Sequence, residues 1–297
     1  MRKGLNRREC LAAFLLPMTP VVAQENGNTH PRVAILDWGL TTSVLSLGVT
    51  PAGIAEIDLY RRWADDFPIP PGVQDVGLRT EPNLEALAAL KPDLILTTPF
   101  SESVRPFLER IAPTRSYATY TPDGKPLARS VEVLRAIARD LRAETQAEAV
   151  IARAEATFAA ARESLAGRNL PPLLLAGFMD GRHTRVYGTD SLFGNVLDRL
   201  GLRNAWNRPT NFWGFTLIGI HELSPYANAR LLAVAPVPPD APLNATHEGL
   251  WRSLPFVRAG RVSTLPTTWA FGDVSTAERF ARNLKRTLLA GESARAG

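Results

Sequence analysis

Few side chains in this sequence could do chemistry, and the familiar catalytic arrangements are missing. There is no G-x-S-x-G elbow, no P-loop and no H-E-x-x-H; HELSP at 221–225 and HEGLW at 247–251 each lack the second histidine. The four histidines, His30, His183, His221 and His247, are scattered, and the one cysteine is Cys10. A transition-metal cage therefore has no ligand cluster to build on. What the sequence offers is one unexplained arginine and a set of large flat rings. Arg79 stands in DVGLRTEPNLE (75–85), between a short apolar run and a helix start, where local structure needs no cation. Its planar fork can donate to several neighbouring oxygens at once. Trp38 in AILDWG, Trp63 in YRRWADD, Trp213 in TNFWGF and Trp269 in TTWAFG, with Phe100 and Phe271, sit at strand ends or in loops. A donor fork amid aromatic surface is binding chemistry, and the expectation is a binding protein without catalytic residues.

The elements around these residues alternate. RVAIL (32–36) reads as a strand, TTSVLSLG as a short helix, and GIAEI and DVGL as strands. Pro82 and Asn83 open a helix with an apolar stripe at Leu84, Leu87, Ala88 and Leu90, and Pro92 stops it. DLILT, a helix from Ser101 to Ile111, and RSYAT complete the first half. Residues 130–166 contain no Gly or Pro. They predict a helix near 131–141 and a long one over 145–166, about 30 Å at about 1.5 Å per residue. The second half restarts with PPLLLAGF and RVYG as strands and a helix over 191–200. HELSPY follows as a short helix, RLLAVAP as a strand, EGLWRSLP as helical, RVSTLP as a strand, and Ser275–Ala290 as the last helix. This is an α/β pattern of two lobes, each a mostly parallel sheet flanked by helices, joined by one long rigid helix. The expected organisation is an N-terminal lobe at 31–141, a connecting helix at 142–167 and a C-terminal lobe at 168–297. In such sheets ligands bind beyond the carboxyl ends of strands, and Trp38, Arg79, Phe100, Trp213, Trp269 and Phe271 are all expected near such ends. Trp206 and Trp251 lie beside helices and read as structural.

Residues 1–23 form a separate unit. Arg2, Lys3, Arg7 and Arg8 precede LAAFLLP, and VVA supplies a small-residue cleavage site, the pattern of an export signal. The adjacent Arg7 and Arg8 point to the twin-arginine route and a periplasmic destination. Without this segment the chain keeps 30 basic and 28 acidic side chains, so the formal charge falls from +5 to +2. A nucleic-acid partner thereby loses its electrostatic support. Cys10 leaves too, so neither a disulfide nor a thiolate ligand remains.

DVGLRTEPNLE, DSLFGNVLD, NAWNRPTNFWG and LWRSLPFVRAGRV closely resemble the periplasmic ferric-hydroxamate (ferrichrome) siderophore-binding proteins of ABC importers. These belong to the iron-siderophore and cobalamin binding family, and the likeness runs from about Arg32 to Leu288. The resemblance implies a class III periplasmic binding protein, a monomer that delivers its cargo to an inner-membrane ABC permease with a cytoplasmic ATPase. Six siderophore oxygens saturate the iron of such a cargo, so the protein supplies no metal ligand and carries no cofactor. By the resemblance Arg79 donates to the iron-bound oxygens, and Trp38, Trp63, Trp213 and Trp269 line a shallow cleft between the lobes. Phe100 and Phe271 stand where the family pattern has tyrosines, leaving Tyr117, Tyr120 or Tyr187 as substitute donors. Glu85 and Glu222 match positions that dock on basic residues of the permease; each also lies nine positions before an apolar strand residue, Leu94 and Leu231. The rival ligands in this family are haem, cobalamin and catecholate chelates. Haem wants an axial His or Tyr, and a triply charged catecholate wants several basic residues. An exported hydrolase, the rival from another class, lacks a nucleophile and base.

Overall fold

The structure, a computed structural model, describes residues 30–64, 67–244 and 249–296. The expected export segment, with Arg7, Arg8 and Cys10, lies outside the described residues, as does His247.

The first sheet is built from β1 (Val33–Ile35), β2 (Gly53–Ile54), β3 (Gln74–Asp75), β4 (Leu94–Thr97) and β5 (Thr114–Ser116). Their order is β3-β2-β1-β4-β5, and every neighbouring pair is parallel. β1 and β4 are buried along their whole length because helices cover both faces of the sheet. Val33 and Ile35 enter one core, while Ala34 and Leu36 enter another with Ile95, Leu87 and Leu108. The helices on this sheet are α1 (Trp38–Ser46), α2 (Ile57–Trp63), α3 (Leu84–Leu90), α4 (Arg105–Leu108) and α5 (Pro126–Leu141).

α6 (Glu144–Leu165) leads to the second sheet. That sheet contains β6 (Leu173–Phe178), β7 (His183–Tyr187), β8 (Phe215–Gly219), β9 (Arg230–Val234) and β10 (Val262–Leu265) in the order β10-β9-β6-β7-β8. β6, β9 and β10 are parallel and β7 runs antiparallel to both its neighbours. α7 (Leu192–Arg199), α8 (Leu250–Ser253), α9 (Pro255–Arg258) and α10 (Val274–Ala296) cover it. The period of two recurs here: Leu173 and Leu175 face one core, Leu174, Ala176 and Phe178 the other.

One interior is common to both sheets. Val33, Ile35 and Leu96 of the first join Leu175, Leu232 and Val234 of the second through the helices between them. α6 contributes Ala147, Val150, Ala154, Phe158, Ala161 and Leu165, a buried stripe at helical spacing. Against it lies α10, whose Ala277, Phe280, Ala281, Leu284 and Leu288 are fully buried. Phe280 stacks on Phe193 of α7 at 4.3 Å. Glu278, with a side chain 2% exposed, accepts from Arg153 Nε (3.0 Å), Thr157 Oγ1 (3.2 Å) and Arg282 Nη1 (2.8 Å), which straps α10 to α6. The long helix is thus packed along one side by a second long helix, and is not a bare strut.

Several sequence expectations need correction. DVGL is not a strand over its length: β3 ends at Asp75, and a turn at Gly77 (φ +86°) follows. The helix expected from Ser101 to Ile111 breaks into a 3₁₀ turn, Pro99–Ser101, and α4, because Pro106 fits only in a helix's first turn. GIAEI pairs only at Gly53 and Ile54; α2 starts at Ile57, so Trp63 ends a helix and is not in a loop. β8 was absent from the sequence reading, hidden behind the turn residues of TNFWG.

Candidate functional site

Arg79 reaches its position through the turn after β3. Asp75 accepts from Gly77 N through Oδ1 and from Ile57 N through Oδ2, both at 2.8 Å, tying the turn to the start of α2. Gly77 combines positive φ with a close approach: a Cβ there would lie 2.9 Å from Asn83 N. The chain then folds back, and Ser101 Oγ donates to Arg79 O at 3.3 Å. The guanidinium carbon stands 3.8 Å from the centroid of the Trp38 ring and 5.9 Å from that of Trp269. Arg79 Nε donates to Glu56 Oε2 at 2.7 Å. No hydrogen bond from the Nη atoms to another described residue accompanies it.

Five of the six expected rings come together, and Trp63 lies off their ladder, bordering a space beside Trp269 and Phe271. Trp38, first residue of α1, is 3% exposed, and its Nε1 donates to Ala55 O at 3.2 Å. It packs edge-on against Trp269 at 4.8 Å, and Trp269 meets Phe271 at 5.1 Å. Phe271 meets Trp213 at 5.3 Å, and Trp213 stacks on Phe100 at 4.6 Å. A continuous ladder of rings therefore crosses between the two sheets, with Trp38 and Phe100 from the first and the others from the second. Trp38, Phe100, Trp269 and Phe271 follow β1, β4 and β10, as expected of carboxyl ends. Trp213 does not: it precedes β8, delivered by a turn in which Asn211 Oδ1 accepts from Trp213 N (3.0 Å) and Phe215 N (3.2 Å). Small spaces of about 40 Å³ flank the ladder; Asp37, Tyr120 and Phe100 border one, Trp63, Met179 and Arg185 the other. A larger cavity of about 520 Å³ lies between α5, α6 and α7, lined by Leu127, Phe158 and Asp198 among others, and shares no residue with the ladder. Polar donors converge with apolar surface at the rings, and that criterion, not volume, selects the site.

The candidate substitute tyrosines are engaged with the protein. Tyr117 donates its hydroxyl to Asp140, and Tyr120 donates to Ala270 O at 2.8 Å. Tyr187 is 5% exposed with Arg185 on its hydroxyl, and burial pushes it up to about 12. Burial likewise raises the Tyr117 and Tyr120 phenols. Asp37, which caps α1 by accepting from Leu40 N at 3.0 Å, is raised chiefly by burial, against the pull of that bond and of Arg79.

Glu85 is exposed in the first turn of α3, behind the Asn83 cap. Glu222 lies in a 3₁₀ helix, Ile220–Tyr226, and differs from it: Oε1 accepts from Gly219 N at 3.4 Å and Oε2 pairs with Arg208 Nη1 at 2.9 Å. Trp206 is 3% exposed and stacked on Tyr226, and Trp251 packs on Phe178 and Phe256, in keeping with structural roles. Among the described residues no group of three His, Cys, Asp or Glu could hold a metal, and no helix is long and apolar enough to cross a membrane.

Residues 33–268 match the family model described as periplasmic binding protein. The chain belongs to that family. It is 36% identical over 293 residues to the iron(3+)-hydroxamate-binding protein FhuD of Escherichia coli (strain K12), covering 96% of this chain and 97% of that protein. The crystal structure of Fe3+–Desferal-bound FhuD from Vibrio cholerae superposes with a TM-score of 0.84 at 31% identity, over 88% of this chain and 99% of that one. The achromobactin-binding periplasmic protein of Dickeya dadantii (strain 3937) is 30% identical over 202 residues, 64% of this chain and 63% of that protein. Members of this family are binding proteins.

Sequence reasoning missed Glu56, Asp37 and Phe215 as parts of the candidate site; the Phe215 ring meets Phe271 at 6.0 Å. Glu56 follows β2, and only the strand order, with β2 between β1 and β3, brings it beside Arg79. That order is set by tertiary packing. Asp37 adjoins Trp38 and carries an N-cap signal, which conceals its second location.

Proposed function

We propose that the protein is an exported substrate-binding protein that captures ferric hydroxamate siderophores and hands them to an inner-membrane ABC permease and its ATPase. The observation that carries this reading is Arg79, its guanidinium carbon 3.8 Å from the Trp38 ring centroid and its Nη atoms not bonded to described residues, beside a ladder of rings drawn from both sheets. Hydroxamate oxygens around iron are clustered, anionic acceptors, which suit a guanidinium fork. The organic shell suits indole and phenyl faces. The iron, already six-coordinate, needs no protein ligand.

The similarity to FhuD from two organisms supports the ligand class. The lobes are taken as 31–141 and 168–297 with the connecting helix at 142–167, and residues 1–23 as a twin-arginine export signal. Trp38 acts from beneath, as the platform of Arg79; Trp63, Phe100, Trp213, Trp269 and Phe271 are the faces a ligand meets. Glu85 and Glu222 are the permease contacts, one on each lobe, and the protein works as a monomer. Because α6 and α10 share a packed interior, lobe closure is small.

Tryptophan fluorescence titration with ferrichrome, ferrioxamine, coprogen, haem and cobalamin tests the reading. Quenching by a ferric hydroxamate at low concentration is expected. Binding of haem or cobalamin with no response to any hydroxamate would overturn it.

A further inference from the structure

Glu56 has no role in the reading above, yet it is the residue most closely bound to Arg79. Its Oε2 accepts from Arg79 Nε at 2.7 Å, and its Oε1 lies 3.4 Å from Arg79 N. The Glu56 side chain is 12% exposed against 32% for Arg79, so the carboxylate is the more buried member of the pair. The backbone at Glu56 is left-handed, φ 56° and ψ 54°, an uncommon conformation for glutamate. It is held there by Glu56 N donating to Gly77 O at 3.0 Å and Tyr60 N donating to Glu56 O at 2.8 Å. A residue kept in a sparsely populated conformation next to a binding arginine invites a functional reason.

The charges facing the site supply one. Arg79 stands with Glu56 and Asp37 on the first sheet's side, and Arg185 lies over Phe215 at 4.9 Å on the other. Among the described residues Arg79 and Arg185 thus stand with Glu56 and Asp37, and Arg62 lies further along, 5.9 Å from the Trp63 ring centroid. Three hydroxamates cancel the charge of ferric iron, whereas three catecholates leave the complex triply negative. We propose that Glu56 sets the charge selectivity of the site: it orients the Arg79 fork and cancels its charge, so that a neutral ferric centre is accepted and an anionic one refused. This rests on the siderophore-binding reading. Donors are then offered without a net positive field, which is how a site rejects a wrong partner that makes the same hydrogen bonds.

The test compares Glu56→Gln, which keeps shape and loses charge, with Glu56→Asp, which keeps charge and tolerates the left-handed backbone. Each is titrated with ferrichrome and with a ferric tricatecholate at low and high salt. For E56Q the affinity ratio should move toward the tricatecholate by roughly tenfold or more at low salt, and less at high salt, because the change is Coulombic. E56D should stay within about threefold of the parent ratio, since it retains the charge. Equal losses for both ligands in E56Q, an unmoved ratio, or an E56D shift as large as that of E56Q would overturn the proposal and leave Glu56 a purely structural brace. If the parent protein bound no ferric hydroxamate, the siderophore reading would fall; the tricatecholate arm would still decide for Glu56, since E56Q must gain that ligand and E56D must not.

Discussion

Replacing Arg79 by alanine should damage binding and stability by different amounts, and the structure separates the two. On the proposed reading the Nη donors serve the ligand, so Arg79→Ala should remove hydrogen bonds to charged ligand oxygens, worth about 1.5–3 kcal/mol. That corresponds to a rise in Kd of about 10- to 150-fold. The same change strips Glu56 of its partner at a side chain only 12% exposed, and uncovers the Trp38 face 3.8 Å away. The lost pair costs about 1–3 kcal/mol and the lost cation–π contact about 0.5–1 kcal/mol. Adding Glu56→Gln removes the stranded carboxylate, so the double variant should recover much of the stability and none of the affinity. Indole fluorescence reads the binding, because Trp38, Trp213 and Trp269 all lie in the ladder; urea unfolding reads the stability. An R79A protein that binds ferrichrome within twofold of the parent while its urea midpoint drops would refute the reasoning and make Arg79 a scaffold residue.

Four further outcomes are expected. Phe100→Tyr keeps the stack on Trp213 and offers a hydroxyl that Tyr117 and Tyr120 do not; ferric hydroxamate affinity should rise by about 0.5–1.5 kcal/mol, and competitive titration showing no gain would place Phe100 off the iron-bound oxygens. Glu278→Ala should lower unfolding free energy by about 2 kcal/mol, the cost of breaking a buried charged network, with affinity unchanged; equal stability in denaturant would dismiss the strap between α6 and α10. Asp37→Asn keeps the cap and removes an ionisation that burial disfavours. The native Asp37 pKa is raised above 3.8, so the parent loses stability as pH climbs through that window, and the variant should be the more stable at pH near 7, with the gap closing toward acid; a less stable D37N at neutral pH contradicts this. Finally, Glu85→Ala together with Glu222→Ala should leave affinity intact and slow siderophore-dependent growth of cells, and normal growth would return both residues to ordinary helix-start roles.

The sequence made the architecture readable where one force dominated. Short apolar runs such as DLILT and RLLAV, bounded by turn residues, favour buried parallel strands, and the Gly-free, Pro-free stretch at 130–166 favours helix. Elements shorter than a turn or two were poorly legible: at GIAEI, local propensity for strand yields to the start of α2, and at SESVRPFLERI a helical stripe yields to Pro106. In the site, Arg79 and the rings were legible because they lack a local reason to be where they are. Glu56 was not, since glutamate after a strand is ordinary until the neighbouring strand is known. The burial of Trp38 was equally hidden, because an indole that props a guanidinium and one that greets a ligand occupy the same place in the sequence.

α10 is the last long element along the chain, yet it furnishes an inner wall to both halves. While a ribosome is still making the protein, Phe193 has only Tyr187 to meet, and the α6 stripe only α5 beside it, until Phe280 and Leu284 have emerged. The core shared by the two halves is closed only by this segment, so its final packing is expected to be one late event for both. A fragment ending before residue 274 should accordingly be a target for proteases, and transplanting one lobe onto a cousin would require carrying this closing segment along with it.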